Sequence, residues 1–264
     1  MKWSQSSLDI RFLQFDLQDL QSIKAATAEF MQKETRLDIL INNAGIMASP
    51  FEMTKDGYEI QWQTNFLAHH ALTLCLLPIF RQTAQLNPGH RATVRIVNVA
   101  SDLAFSMGPK NIDYRDPNLT DLTGSPESDS NAIPRKRYSH SKQAGIIGAK
   151  AINDHYEHLG IAAYSIHPGI IKTNLQSHDS TLIGAVARVA MNVVPTSSVI
   201  DGTRTSLYCA TSPKASTQGG LFFIPFGKLD HRPDKWLNDP DAVGRLWDLA
   251  LAQLVTRSGF QFEL

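Results

Sequence analysis

Thr93–Ser101, TVRIVNVAS, is the most restrictive stretch of this sequence, an almost unbroken Val/Ile run closed by small and polar residues. Such a run fits a parallel strand covered on both faces, and parallel strands need crossover connections, usually helical. The rest of the chain offers them. Ile10–Leu17 (IRFLQFDL) alternates and carries β-formers, which predicts a strand. Asp19–Lys33 repeats Leu20, Ile23, Thr27, Phe30 and Met31 at helical intervals. Ile39–Asn42 predicts a second strand, Thr64–Phe80 a long buried helix, and Tyr138–His158 another helix. Ile161–His167 and Leu221–Ile224 complete the strands. This alternation means an α/β fold with a mainly parallel sheet. Ligands in such folds sit beyond the carboxyl ends of the strands.

A chain of 264 residues with 42% hydrophobic content holds one sizeable core, so residues 1–264 read as a single domain. Lys and Arg total 25 against 25 for Asp and Glu, a zero net charge that argues against a nucleic-acid partner. The most apolar stretch, Ala71–Phe80, is too short for a membrane span and is broken by Pro78. No apolar core of a secretion signal occurs in the first twenty residues. Cys75 and Cys209 make neither a disulfide framework nor metal-ligand spacing. The expectation is a reduced, cytoplasmic protein without a metal. Two segments interrupt the alternation. Ser106–Arg137 holds four prolines and reads as a long surface loop, functional or mobile. Gln176–Val199 reads as a small helix with flanking turns.

Tyr138-Ser-His-Ser-Lys142 puts a phenol and an ammonium at i and i+4, on one helix face. A nearby cation favours phenolate, and a tyrosine so poised can pass a proton to or from an alcohol. Alone the pair is weak, since such pairs are common on helices. Its company is what counts. Ser101 closes an apolar strand, Asn42-Asn43-Ala44-Gly45 closes another with a glycine at the turn, and Asn65 enters a buried helix where it needs a partner. Plainer readings stand beside these. Asp16, Asn65 and Thr173 could each cap a helix, and His167 before Pro168 could serve packing. His155 and His158 have helical spacing but no third metal ligand. His69 and His70 are adjacent and point to different helix faces.

These residues together resemble the short-chain dehydrogenase/reductase family. The match rests on Asn42–Gly45, Asn65, Ser101, the YxxxK of Tyr138 and Lys142, and Pro168-Gly169 followed by Ile171 and Thr173, in the family's order. The long gap from Ser101 to Tyr138 and the ending GLFFIPFGK…RLWDLA resemble its retinol-dehydrogenase-like branch, whose fungal members often act in secondary metabolism. The resemblance implies a Rossmann-like, doubly wound sheet, with Tyr138 as general acid or base and Lys142 lowering its pKa while holding the nicotinamide ribose. It further implies that Ser101 hydrogen-bonds the substrate oxygen and that Asn65 keeps a proton-relay water. Asp16 would meet the adenine, and Asn43, Ala44 and Gly45 the adenosine ribose. Pro168, Gly169, Ile171 and Thr173 would contact the carboxamide and phosphate. The implied cofactor is NADP(H), with NAD(H) the alternative. Phe105, Met107, Leu175, Leu182, Ile183 and Val186 would line an apolar site, or serve as core. The expected partner is therefore a lipophilic carbonyl or alcohol, and homo-oligomers are common in the family.

One family feature is missing. No glycine precedes Gly45, so there is no glycine-rich turn to hold the pyrophosphate at a helix N-terminus. Matching Ile10–Leu17 to the family's third strand means that the first two strand–helix units are lacking, roughly 60 residues at about 30 per unit. Three readings compete: a fragment of a working oxidoreductase, a true short form, or a catalytically silent protein that acts by binding. The remaining parallel strands are then left with two open edges that invite aggregation or rearranged pairing, or Ile10–Leu17 moves into the vacated place beside Ile39–Asn42.

Overall fold

The computed structural model of the chain describes residues 9–86, 88, 90–121, 132–171 and 198–262. Helix α1 (Leu20–Lys33) starts at Asp19, whose carboxylate accepts from the backbone N–H groups of Gln21 and Ser22. Strand β1 (Ile39–Asn42) follows. The expected long helix is four pieces. α2 (Ile60–Trp62) runs into a π-helical turn, Gln63–Leu67, and then α3 (Ala68–Cys75). A break at Leu76 precedes α4 (Leu77–Gln85), where Pro78 occupies the first turn and supplies no N–H to continue α3. Strand β2 (Val94–Val99), a 3₁₀ turn (Asp102–Phe105), α5 (Ile133–Tyr156) and β3 (Ile161–Ile166) come next. The chain closes with α6 (Val199–Thr211), β4 (Phe222–Ile224), β5 (Lys228–Leu229), α7 (Asp234–Leu237) and α8 (Pro240–Ser258).

The sheet order is β1-β2-β3-β4-β5, parallel throughout except for the antiparallel β4–β5 hairpin. Ile39 pairs with Arg95 and Val94 with Ile161, which brings the strand ends Asn42, Val99 and Ile166 to one rim. Period-two alternation splits the strands between two cores. Val94, Ile96, Ile161 and Ala163 join the core under α1, α3, α4, α5 and α8. Val97, Ala162, Tyr164 and Ile166 join the core that includes Cys209 and Ala210 of α6. Burial on both faces explains why TVRIVNVAS reads as continuous apolar sequence.

Several expectations need correction. Ile10–Leu17 forms no strand; the segment is irregular, with Ile10 85% and Phe12 88% exposed. Alternation gives β-propensity, but a strand exists only with a ladder partner, and β1 pairs with β2 alone among the described residues. The loop expected over Ser106–Arg137 ends early, because Pro134 sits in the first turn of α5, which begins at Ile133. Of that loop, residues 122–131 lie outside the described residues. So does all of Gln176–Val199 except Ser198 and Val199, which cap and open α6. No helix among the described residues is long and apolar enough to cross a membrane.

Candidate active site

The rim formed by the ends of β1, β2 and β3 collects the chemistry. Ser101 follows β2 in extended conformation, and its hydroxyl accepts from Leu103 N–H to cap the 3₁₀ turn. Tyr138 lies in the second turn of α5, buried against Met47, Ala48 and Leu103. Ser101 hydrogen-bonds the Tyr138 phenol. Lys142, one turn on, holds its Nζ 5.7 Å from the Tyr138 ring centre and donates to Val99 O at 2.8 Å. Three expected residues thus converge, all buried.

The electrostatics differ from the expectation. Burial pushes the Tyr138 hydroxyl up to about 12, and the hydrogen bond from Ser101 offsets only part of this. Lys142 is itself pushed down to about 8 by burial. Its ammonium is aimed at the end of β2, and desolvation of the phenol outweighs it.

Asn65 sits inside the π-helical turn, where an extra residue re-aims side chains. It caps no helix. Its side chain accepts from Ile46 N–H (2.9 Å), donates to Ile46 O (2.9 Å) and donates to Ser141 Oγ (3.0 Å), so it ties the loop after β1 to α5. Its carbonyl accepts from His69 Nδ1 at 3.3 Å. A Cβ on Gly45 would lie 2.9 Å from Asn65 Oδ1 and 3.3 Å from Lys142 Nζ, so the loop backbone reaches the lysine only because residue 45 has no side chain. Asn43 and Ala44 remain exposed beside it.

Asp16 stands apart. Its carboxylate accepts from Gln18 N–H and its own N–H donates to Ser22 Oγ in an exposed turn, while Asp19 is the helix cap. No hydrogen bond among the described residues joins it to Asn43–Gly45. Pro168 and Gly169 follow β3 at the rim, with Gly169 at φ 98°, a conformation that favours glycine. Ile171 packs on Gly202 of α6. Thr173, Leu175, Leu182, Ile183 and Val186 lie outside the described residues. Phe105 is stacked on Trp236 (5.4 Å between centroids), and Met107 is 40% exposed.

Some contacts of the site could not be read from the sequence. Asn42 and Asn98, paired in register, hydrogen-bond side chain to side chain at 2.8 Å and lock β1 to β2 beneath the site. His167 accepts at Nδ1 from the N–H of Asp102, the residue after Ser101, at 3.3 Å. Asp102 is ion-paired with Arg232, 130 positions away. Two polar residues at equivalent strand ends were a usable signal for the asparagine pair; nothing local marks Arg232.

The family model for short chain dehydrogenases matches residues 2–115. A short-chain dehydrogenase/reductase of Aspergillus calidoustus, drtF, is 37% identical over 254 residues, covering 90% of this chain and 75% of that protein. Human retinol dehydrogenase 14 is 31% identical over 240 residues, covering 90% of this chain and 64% of its own length. An uncharacterized oxidoreductase of Schizosaccharomyces pombe is 42% identical over 219 residues, 81% of this chain and 61% of that one. Among solved structures, a putative uncharacterized protein from Mycobacterium paratuberculosis superposes with TM-score 0.62 at 27% identity over 95% of this chain and 76% of that one. The NADPH-bound carbonyl reductase from chicken fatty liver gives 0.56 at 23% identity, over 83% and 76%. With a serine, tyrosine and lysine meeting at the rim of a parallel sheet and relatives of this similarity across nine-tenths of its length, the chain belongs to the short-chain dehydrogenase/reductase family.

Proposed function

We propose that this protein interconverts a lipophilic carbonyl and its alcohol, with Tyr138 as the proton donor or acceptor. The convergence of Ser101, Tyr138 and Lys142 on one rim carries the reading. The residues present fit the nicotinamide–ribose end of a cofactor. Val99 O takes one of the Lys142 N–H donors, which leaves donors for ribose hydroxyls, and the missing side chain at Gly45 leaves backbone open beside that ammonium. A glycine-rich cradle for the pyrophosphate is not among the residues of this sequence. When bound, the cofactor supplies or accepts the hydride. In reduction, Ser101 Oγ–H holds the carbonyl oxygen and Tyr138 gives it the phenolic proton; in oxidation Tyr138 takes the proton back. With the phenol raised to about 12 by burial, a second cation-bearing contact or a bound ribose must bring it into working range. Phe105 and Met107 supply an apolar approach to the rim.

The test is a fluorescence titration of the purified chain with NADPH and then NADH, NADPH first because the chicken enzyme of the same fold holds it. Saturable micromolar binding, followed by a turnover loss of about 10²–10⁴-fold in Tyr138→Phe, is the expected result. A folded chain that binds neither nucleotide favours the silent binding protein instead, and unchanged turnover in Tyr138→Phe removes the assigned mechanism.

A further inference from the structure

The residue next to Ser101 is held from two sides. Its N–H donates to His167 Nδ1 at the end of β3 (3.3 Å), and its carboxylate pairs with Arg232. Arg232 is anchored in turn: its Nε donates to Asp230 at 2.8 Å, and its guanidinium lies 4.5 Å above the Phe105 ring, which is stacked on Trp236. Asp230 N–H donates to Phe222 O, and His167 N–H donates to Phe223 O at 2.7 Å, so both supports are fixed to β4. The turn that carries Ser101 is thus tied to the C-terminal hairpin through one histidine and one arginine.

We infer that His167 is a positioning residue that sets the orientation of Ser101 by accepting the Asp102 N–H at an unprotonated Nδ1. This rests on the proposed role of Ser101, and it deepens that reading by adding a regulation of the same site by acid. The argument is one of valence. Because the backbone N–H is the donor, Nδ1 must be bare and the ring proton must sit on Nε2. An imidazolium has no acceptor, so protonation breaks this bond and turns the two N–H groups against each other. The charged groups facing the ring are Asp102 on the 3₁₀ turn and Asp230 and Arg232 on the segment after β5. The two carboxylates favour the proton, while burial and Arg232 oppose it, and the balance lies below the ordinary histidine value of 6.5. At neutral pH the bond is therefore made, and in acid it opens.

Two substitutions separate the role from simple packing. His167→Asn keeps an acceptor near the Nδ1 position but cannot titrate, whereas His167→Leu keeps bulk and removes the acceptor. In turnover, His167→Leu should lose about tenfold to a hundredfold in kcat, with cofactor affinity within about twofold. His167→Asn should retain the neutral-pH rate and lose the acid limb of the wild-type profile. Equal losses in both variants, or an acid limb surviving in His167→Asn, overturn the inference. A second readout needs no turnover. In ¹⁵N-histidine-labelled protein Nδ1 of His167 should show the shift of an unprotonated nitrogen, and the Asp102 amide should titrate with it. The Tyr138 ¹³Cζ signal, which reports the bond its hydroxyl makes with Ser101, should move in His167→Leu and stay in His167→Asn. A protonated Nδ1, or a Tyr138 signal indifferent to both variants, overturns the inference even in a chain that turns over nothing; absent turnover with these signals intact counts against the proposed function alone.

Discussion

Lys142 shows what the fold imposes on a single group. Its ammonium is buried and its pKa is pushed down to about 8, so the folded chain resists a charge that the unfolded chain carries freely. Between about pH 8 and the ordinary lysine value of 10.5 the unfolded state binds this proton and the folded state does not, which by itself makes stability rise with pH. Above about pH 9 the sign reverses, because the Cys75 and Cys209 thiols, pushed up by burial to about 11 and about 12, and the Tyr138 and Tyr164 phenols, held near 12, keep their protons while the same groups ionise in the unfolded chain. Urea midpoints should therefore climb from pH 8 to about 9 and then fall. In Lys142→Met the climb should vanish and the fall should set in from pH 8. A climb of equal size in the variant would remove Lys142 as its source. The identities of these residues were legible in the sequence, since the i, i+4 spacing and the strand-end serine are local. Their electrostatics were not. The expected depression of the tyrosine needed proximity to a cation, whereas the outcome depends on how deeply α5 is covered, by α8 among other elements, and no spacing records that.

At the scale of elements, the approach of α5 to the π-helical turn is set by one missing side chain. A Cβ on Gly148 would fall 2.9 Å from Phe66 Cε2, and that ring is itself held at 4.9 Å from Trp62. Gly148→Ala gains about 1 kcal/mol in helix propensity but overpacks the contact by about 1–3 kcal/mol. A net destabilisation of about 1 kcal/mol, read as a lower urea midpoint with unchanged slope, is the expected outcome; a stabilised variant would mean that the ring yields freely. Elements with strong local signals matched the sequence closely: α1 with its aspartate cap, β2 with its Val/Ile run, and the apolar β3. The failures are instructive. Ile10–Leu17 has the right pattern and no neighbour to pair with. Helix α6 announces itself through a Ser198–Asp201 capping box, and α8 through Asp239, Pro240 and the left-handed Gly259. Those caps are legible in the sequence, but a strand pattern does not reveal them. The π-helical turn has no sequence signature, for it arises where Asn65 must face the loop after β1.

At the scale of the whole molecule, three histidines seal the joints between elements. His140 stacks on Trp62 (5.0 Å) and accepts at Nε2 from Asp113 N–H; His70 meets Trp247 edge-on at 5.3 Å; His69 reaches Asn65 O. Burial holds all three near 4. As pH falls from 6.5 towards 4 the unfolded chain takes up protons that the folded chain refuses, so stability is lost across that window; these three alone give a slope approaching three protons or about 4 kcal/mol per pH step, and His167, also lowered, adds to it. Buried Glu59, whose carboxyl is raised by burial, works weakly in the other direction near the acid end. Equilibrium unfolding at pH 7, 6 and 5 measures the slope; His140→Gln should reduce it by about one proton. The site is assembled from distant chain as well. Tyr58 Oη–H donates to Gln253 O, Trp62 Nε1–H to Gln253 Oε1, and Gln21 Nε2–H to Ser258 O. The helix that carries Asn65 is thus locked by residues almost two hundred positions downstream. On a ribosome that sequence order matters: while synthesis is under way Tyr58 and Trp62 await their Gln253 contacts, so the rim settles fully only after the helix that carries Gln253 has left the exit tunnel, and the nascent chain must be kept from sticking to its neighbours until then.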